Sequence, residues 1–244
     1  ESARVKADPG VHPRSDEFPV MKLNLVQDFP TGIYDYNLMT SAFSALTARF
    51  GRPEGNTAKV SFSAQEWCGH VWLQLLPERN AVHETFHSYF DREADRSATL
   101  DYPDDGMLED ALLLWARGFA APFLEPGETR SVPVLRSAEI ARLTHVPVEW
   151  ETGELSRAAE ESEATVPAGT FRVEAMTAKL SGGRTWEFLV EAAAPRRIVQ
   201  WSASDGRAAA LVAAERLKYW EMNDGASLRS VERIGLEPRP ARTP

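Results

Sequence analysis

The stretch TVPAGTFRVEAMTAKLSGGRTWEFLVEAAAPRRIVQWSASDGRAAALVAAERL, residues 165–217, decides the fold. Apolar and polar side chains alternate along 170–180, 185–192 and 198–203, the period-two signature of half-buried strands. Between them lie Ser181-Gly182-Gly183-Arg184 and Ser204-Asp205-Gly206-Arg207. Glycine takes the positive φ that tight hairpin turns demand, so these two tetrads predict successive hairpins, and successive hairpins make an antiparallel meander. A further strand is predicted over 208–217.

The same pattern extends backwards, through 129–135, 146–152 and 162–166. In the first half, Met21, Leu23 and Leu25 alternate with Lys22, Asn24 and Val26 and predict a strand that ends before Pro30 and Gly32. Residues 33–46 fit a helical stripe through Tyr34, Leu38, Ala42 and Ala45, but their aromatic and Ser/Thr content favours a strand. Val60, Phe62 and Ala64, then Val71, Leu73 and Leu75, form two more alternating faces around Glu66-Trp67-Cys68-Gly69-His70. Strands over 84–90 and 98–102 follow. One helix is expected near 106–118, with Leu108, Ala111, Leu112 and Trp115 on one face, Glu109 and Asp110 in its first turn and Gly118 at its end. The expected fold is therefore mainly β: an extended, strongly curved antiparallel sheet or incomplete barrel with one covering helix. Its organisation is an arm (1–19) rich in proline and charge, a β-rich body (20–235, divisible at 125/126) and a polar tail (236–244).

Composition bounds the function. Acidic residues outnumber basic ones by 36 to 27, a net charge of −9, and the longest basic cluster is Arg196-Arg197, so no electrostatic footprint for nucleic acid is present. A polybasic attachment to anionic lipid is disfavoured for the same reason. No run of about 18 uncharged apolar residues occurs, so no membrane-spanning helix is encoded. Cys68 is the single cysteine, which excludes an intramolecular disulfide. The chain starts at Glu1 rather than Met, as after processing, cleavage of a tag or trimming; removal of a secretory signal is one such cause.

Residues 165–220, with TGIYDYNLMTSAFSAL and SFSAQEWCGHVWLQL nearer the start, resemble a diffuse group of uncharacterised bacterial envelope proteins. The shared pattern is a "valPAGtF" strand, two aromatic-rich strands, a strand after a Pro-Arg step and a charged hairpin. Some of that group carry the label septum-formation inhibitor, the name of a nucleotide pyrophosphatase family. The Ser-x-Ser-Pro-Arg-Arg loop of those enzymes does not occur here. The resemblance implies an exported β protein, periplasmic and peripheral to the inner membrane, and implies no activity.

Three constellations carry residue types that could support chemistry. Cys68 with His70 and Glu66 would suit a thiol nucleophile or a partial metal site if all three shared a strand face, but two or three ligands are few, and the reading favours a buried structural cysteine beside a glycine-permitted turn. His83-Glu84-Thr85-Phe86-His87 spells the zinc-hydrolase motif, in which a helix puts both imidazoles on one face. The flanking Val82, Tyr89 and Phe90 instead favour a strand, where the two histidines stand about 13 Å apart at ~3.3 Å per residue. Asp104, Asp105, Glu109 and Asp110 fit helix capping and not a calcium loop. The seven tryptophans read mainly as core, with an apolar cavity as the functional alternative.

No catalytic, cofactor-binding or metal-binding residue is therefore assigned, and no cofactor is expected. The leading expectation is a non-enzymatic accessory subunit that contacts a membrane-associated protein complex, such as a respiratory or photosynthetic host, through its N- and C-terminal arms. The alternatives are a carrier of a lipid or other hydrophobic ligand and a zinc-dependent hydrolase at His83, Glu84 and His87.

Overall fold

The computed structural model describes residues 4–93 and 95–237. It is mainly β, with the strands divided between two sheets. The first is a six-stranded antiparallel meander of β1 (Val20–Thr31), β2 (Tyr34–Ala45), β3 (Thr57–Glu66), β4 (Gly69–Pro77), β5 (Ala81–Ser88) and β6 (Arg96–Asp101), each strand paired with its sequence neighbours. The second contains β7 (Met107–Leu108), β8 (Thr129–Leu135), β9 (Trp150–Arg157), β10 (Ser162–Val166), β11 (Gly169–Leu180), β12 (Thr185–Glu191), β13 (Ile198–Ala203) and β14 (Ala208–Ala210). Its order is β14-β13-β12-β11-β9-β8-β7, with β10 also paired to β11. The β7–β8 pair is parallel.

Within the expected 33–46 the strand is Tyr34–Ala45, with Ile33 in the preceding turn, and β1 runs through Pro30 instead of stopping before it. Proline is tolerated there because β1 is an edge strand and the missing N–H breaks no ladder. Both glycine tetrads close hairpins, with Gly183 at φ +87° and Gly206 at φ +92°. The ladder shifts register at Phe43/Ser44 and at Leu189/Val190, irregularities that bend a sheet.

The strand faces build one main core and a smaller cluster of Ala164, Val166, Val173 and Val199 from β10, β11 and β13. Val60, Phe62 and Ala64 of β3 and Val71, Leu73 and Leu75 of β4 are buried in the main core with Val132, Leu155, Met176 and Phe188 of the second sheet. Burying each of the larger of these side chains contributes about 1.5–3 kcal/mol. The predicted helix is shorter than expected. Met107–Leu108 pairs as a strand, Glu109–Ala111 is a single 3-10 turn, and α1 covers only Leu112–Ala116. Two further helices, α2 (Ala138–Thr144) and α3 (Arg229–Arg233), were not expected; α2 is capped by Ser137, whose side chain accepts from Glu139 N and Ile140 N.

Two other expectations need correction. Of the tryptophans, Trp115 is fully buried and Trp150, Trp186 and Trp201 pack against the core as expected, whereas Trp67, Trp72 and Trp220 are exposed. The strand predicted over 208–217 stops at Ala210; beyond Leu211 the chain leaves the sheet.

Candidate functional site

Cys68 lies in the two-residue turn between β3 and β4 and is exposed, not buried. Its backbone N–H donates to Glu66 Oε2 at 2.7 Å, and the neighbouring carboxylate pushes the thiol pKa up, first by hydrogen bonding and then by burial and charge. A raised pKa leaves less thiolate, the opposite of an activated nucleophile. Glu66 itself is nearly inaccessible and pairs with Arg142 at 3.8 Å, while His70 lies on β4 with no hydrogen bond to the cysteine among the described residues. The glycine of the motif has a packing role: a Cβ on Gly69 would stand 2.4 Å from the Tyr89 ring, so only glycine lets that ring lie against the hairpin.

The His83-Glu84-His87 segment is β5, an extended strand. Its alternation puts His83 and His87 on the outer face and Glu84 on the buried one. Glu84 accepts from Arg96 at 2.6 Å, His87 Nδ1 meets Asp95 at 2.6 Å and His83 Nδ1 meets Thr99 at 3.2 Å. The three residues of the motif thus face different neighbours, and the arrangement a zinc helix would supply is not formed. Among the described residues, no three His, Cys, Asp or Glu side chains converge as a metal-ligand set.

Of the four acidic residues expected to cap the helix, Glu109 and Asp110 instead line a cleft between the sheets. Glu109 accepts two hydrogen bonds from Arg184, one from Trp186 Nε1 and one from the Ser137 N–H. Asp110 accepts from the Ser137 hydroxyl at 3.1 Å and from Ala138 N, and burial drives its pKa up to about 7 against those hydrogen bonds. Glu139 accepts from Gln27 at 2.7 Å and pairs with Arg207. Leu23, Leu112, Leu113 and Trp201 form the apolar walls. The enclosed space measures about 40 Å³, room for two or three waters at roughly 10–15 Å³ each. Each carboxylate is already engaged by the protein's own donors, so the cleft reads as a polar clasp joining the sheets.

The two ends of the chain behave differently. The N-terminal arm is held by the body: Arg4 donates to Ala58 O at 2.7 Å and stacks over Phe50 at 3.8 Å, and Phe18 packs edge-on against Phe50. Among the described residues, 212–237 make hydrogen bonds and ion pairs within the segment itself, through Lys218–Glu221, Asp224–Ser227 and the turns around α3. This segment exposes Tyr219 and Trp220, whose rings meet edge-on at 5.4 Å. Tail residues 238–244 lie outside the described residues.

Sequence reasoning missed a third feature. Ile33, placed within a strand by its composition, is the second residue of the Gly32-Ile33 turn and is 86% exposed. Trp67 tops the neighbouring hairpin at 73% exposure. A large apolar residue wedged between two strand patterns, where turns favour Gly, Asn or Asp, is the available signal.

No helix among the described residues is long and apolar enough to cross a membrane. No family model and no curated protein matches the chain. Among solved structures, a DUF1089 family protein from Pseudomonas aeruginosa aligns over 77% of this chain and 91% of its own, at 11% identity and a TM-score of 0.37. A likeness at that level carries no argument.

Proposed function

We propose that the protein is a non-enzymatic accessory subunit that docks onto a larger, membrane-associated assembly through its C-terminal segment. The observation that carries this reading is the segment 212–237, which leaves the sheet after Leu211, among the described residues hydrogen-bonds within itself, and holds Tyr219 and Trp220 in solvent. Aromatic side chains of this kind are the usual anchors of a protein interface, and ordering a self-contained segment on a partner adds contact area without a large rigid face. The N-terminal arm does not share this role, since its hydrogen bonds and rings are engaged by the body. The resemblance to envelope proteins supports a periplasmic location, peripheral to the inner membrane.

The enzymatic and ligand-carrier alternatives draw less support. The outward His83 and His87 are separated from the buried Glu84, and the cleft carboxylates are saturated by Arg184, Arg207, Ser137 and Trp186. The cleft between the sheets has space for a few waters only, and the larger hollow, about 360 Å³, is an open surface depression edged by Glu161, Arg172 and Glu191, a poor fit to an acyl chain.

The test is recovery of a defined complex from native membranes with tagged full-length protein, protein ending at residue 211, and Tyr219→Ser/Trp220→Ser. Full-length protein brings down a reproducible partner, and both variants lose it while their circular dichroism and melting temperature stay close to wild type. Undiminished recovery with both variants overturns the assignment.

A further inference from the structure

We propose that the turn end of the six-stranded sheet is a lipid contact, inserting Ile33, Trp67 and Tyr89 into the interfacial zone of a bilayer of no net charge. In a meander, alternate turns emerge at the same end. The β1–β2 turn, the β3–β4 turn and the β5–β6 connection therefore stand side by side, about 10 Å apart for hairpins two strands of ~4.8 Å each in width. Each carries a large apolar residue in solvent: Ile33 at 86%, Trp67 at 73% and Tyr89 at 64% exposure.

The tips are held in place from behind. Tyr34 packs against Trp67 at 5.8 Å and against Tyr36 at 5.9 Å, Tyr36 stacks on Phe29 at 5.5 Å, and the Tyr89 ring rests on Gly69. Insertion would thus order few additional side chains. Tryptophan and tyrosine have an apolar body and a polar edge, which suits the boundary between acyl chains and headgroups, and isoleucine at a tip suits the layer just beneath.

Charge selects the occupant. The connection between β5 and β6 carries Asp91, Glu93 and Asp95 against Arg92, Asp35 lies beside the Ile33 tip, and the whole chain has a net charge of −9. A second copy presenting this end would set the same carboxylates against each other. An anionic membrane is disfavoured on the same ground, which leaves a zwitterionic surface. The inference does not rest on the C-terminal segment, since vesicles without protein test it alone.

Cys68 provides the probe, because it is the single cysteine, is exposed and shares the turn with Trp67. Protein labelled there with an environment-sensitive fluorophore is titrated with phosphatidylcholine vesicles, and unlabelled protein is floated with the same vesicles. The expected result is a blue-shifted, brightened emission together with flotation. Ile33→Asp/Trp67→Asp, whose parent side chains are largely in solvent, retains the circular dichroism of the fold and lowers the lipid partition coefficient at least tenfold. Adding phosphatidylserine does not tighten binding. Absence of shift and flotation at millimolar lipid overturns the proposal, as does equal flotation of the double variant. A dimer in sedimentation equilibrium that the double variant abolishes, without flotation of the wild type, assigns this end to a second copy and overturns it equally.

Discussion

Arg184 grips Glu109 with two parallel hydrogen bonds, Nε to Oε1 at 3.1 Å and Nη2 to Oε2 at 3.0 Å, across 75 residues of chain. The same guanidinium reaches Glu151 at 2.5 Å, so one side chain from the β11–β12 turn joins the 3-10 turn after β7 to β9. The Glu109 carboxylate is almost wholly buried. Arg184→Met leaves that charge without its partner and is expected to cost about 3–5 kcal/mol in urea unfolding. In Arg184→Met/Glu109→Gln the buried group is neutral and still accepts a hydrogen bond, so much of that loss is regained. A double variant as unstable as the single one would refute this account of the clasp.

Asp110 gives stability a pH dependence of unusual sign. Its folded-state pKa stands at about 7 against an ordinary 3.8, chiefly through burial. The folded state therefore binds the proton more readily than the unfolded chain, and this group's contribution declines as pH rises from about 4 to 7. Against the upward push of burial, arginine partners lower the pKa values of Glu151, Glu174, Glu191 and Asp205, helped at all but Glu174 by backbone donors, and their contribution declines in the other direction, as pH falls below the ordinary carboxylate range. Asp110→Asn keeps an acceptor for Ser137 and Ala138. At pH 8 it is expected to be more stable than wild type by up to about 4 kcal/mol, at ~1.4 kcal/mol per pH unit, and to match it near pH 4. Urea midpoints measured from pH 4 to 8 decide this; parallel wild-type and variant curves would contradict it.

The N-terminal arm contributes to stability. Removing residues 1–17 deletes the Arg4 hydrogen bond and its stacking on Phe50. At about 1 kcal/mol for each contact, a loss of about 1–2 kcal/mol is expected in thermal unfolding. An unchanged melting temperature would show that the arm only rests on the surface.

Cys68 is accessible yet slow. Glu66 raises the thiol pKa, so alkylation by iodoacetamide at pH 7 is expected to lag behind a cysteine in an unfolded peptide, with the gap closing once both thiols ionise at alkaline pH. Rates measured from pH 7 to 10 check it, and parity with the peptide at pH 7 would remove the carboxylate's influence.

Zinc should have no structural role at β5. His83 and His87 share a face but stand about 13 Å apart at ~3.3 Å per residue, beyond the reach of one ion. Substoichiometric zinc by elemental analysis and an unchanged melting temperature in EDTA are expected; a chelator-dependent melting temperature lost in His83→Ala/His87→Ala would count against this reading.

Much of the strand inventory was legible before folding. Residues 129–135, 162–166 and 198–203 coincide with β8, β10 and β13, and both glycine tetrads close hairpins. The helical segment was misread because Leu108, Leu112 and Trp115 suit a helix stripe, while Met107 and Leu108 are claimed by parallel pairing with Val134 and Leu135. Helix α2 escaped because AEIARLT is short and its anchoring comes from Asp110 accepting at Ala138, a contact spanning 28 residues. Cys68 appeared buried because cysteine usually is, yet its place in a two-residue turn leaves it in solvent.

The linear chain by itself determined where strands run and where they reverse, because alternation and the positive φ of Gly183 and Gly206 are local properties. Only the tertiary structure decided that the strands divide into two sheets around a main core, that Glu109 meets Arg184, and that Ile33, Trp67 and Tyr89 crowd one end. Those outcomes depend on pairing and register between distant segments, whose energies come from packing that no single stretch of sequence contains.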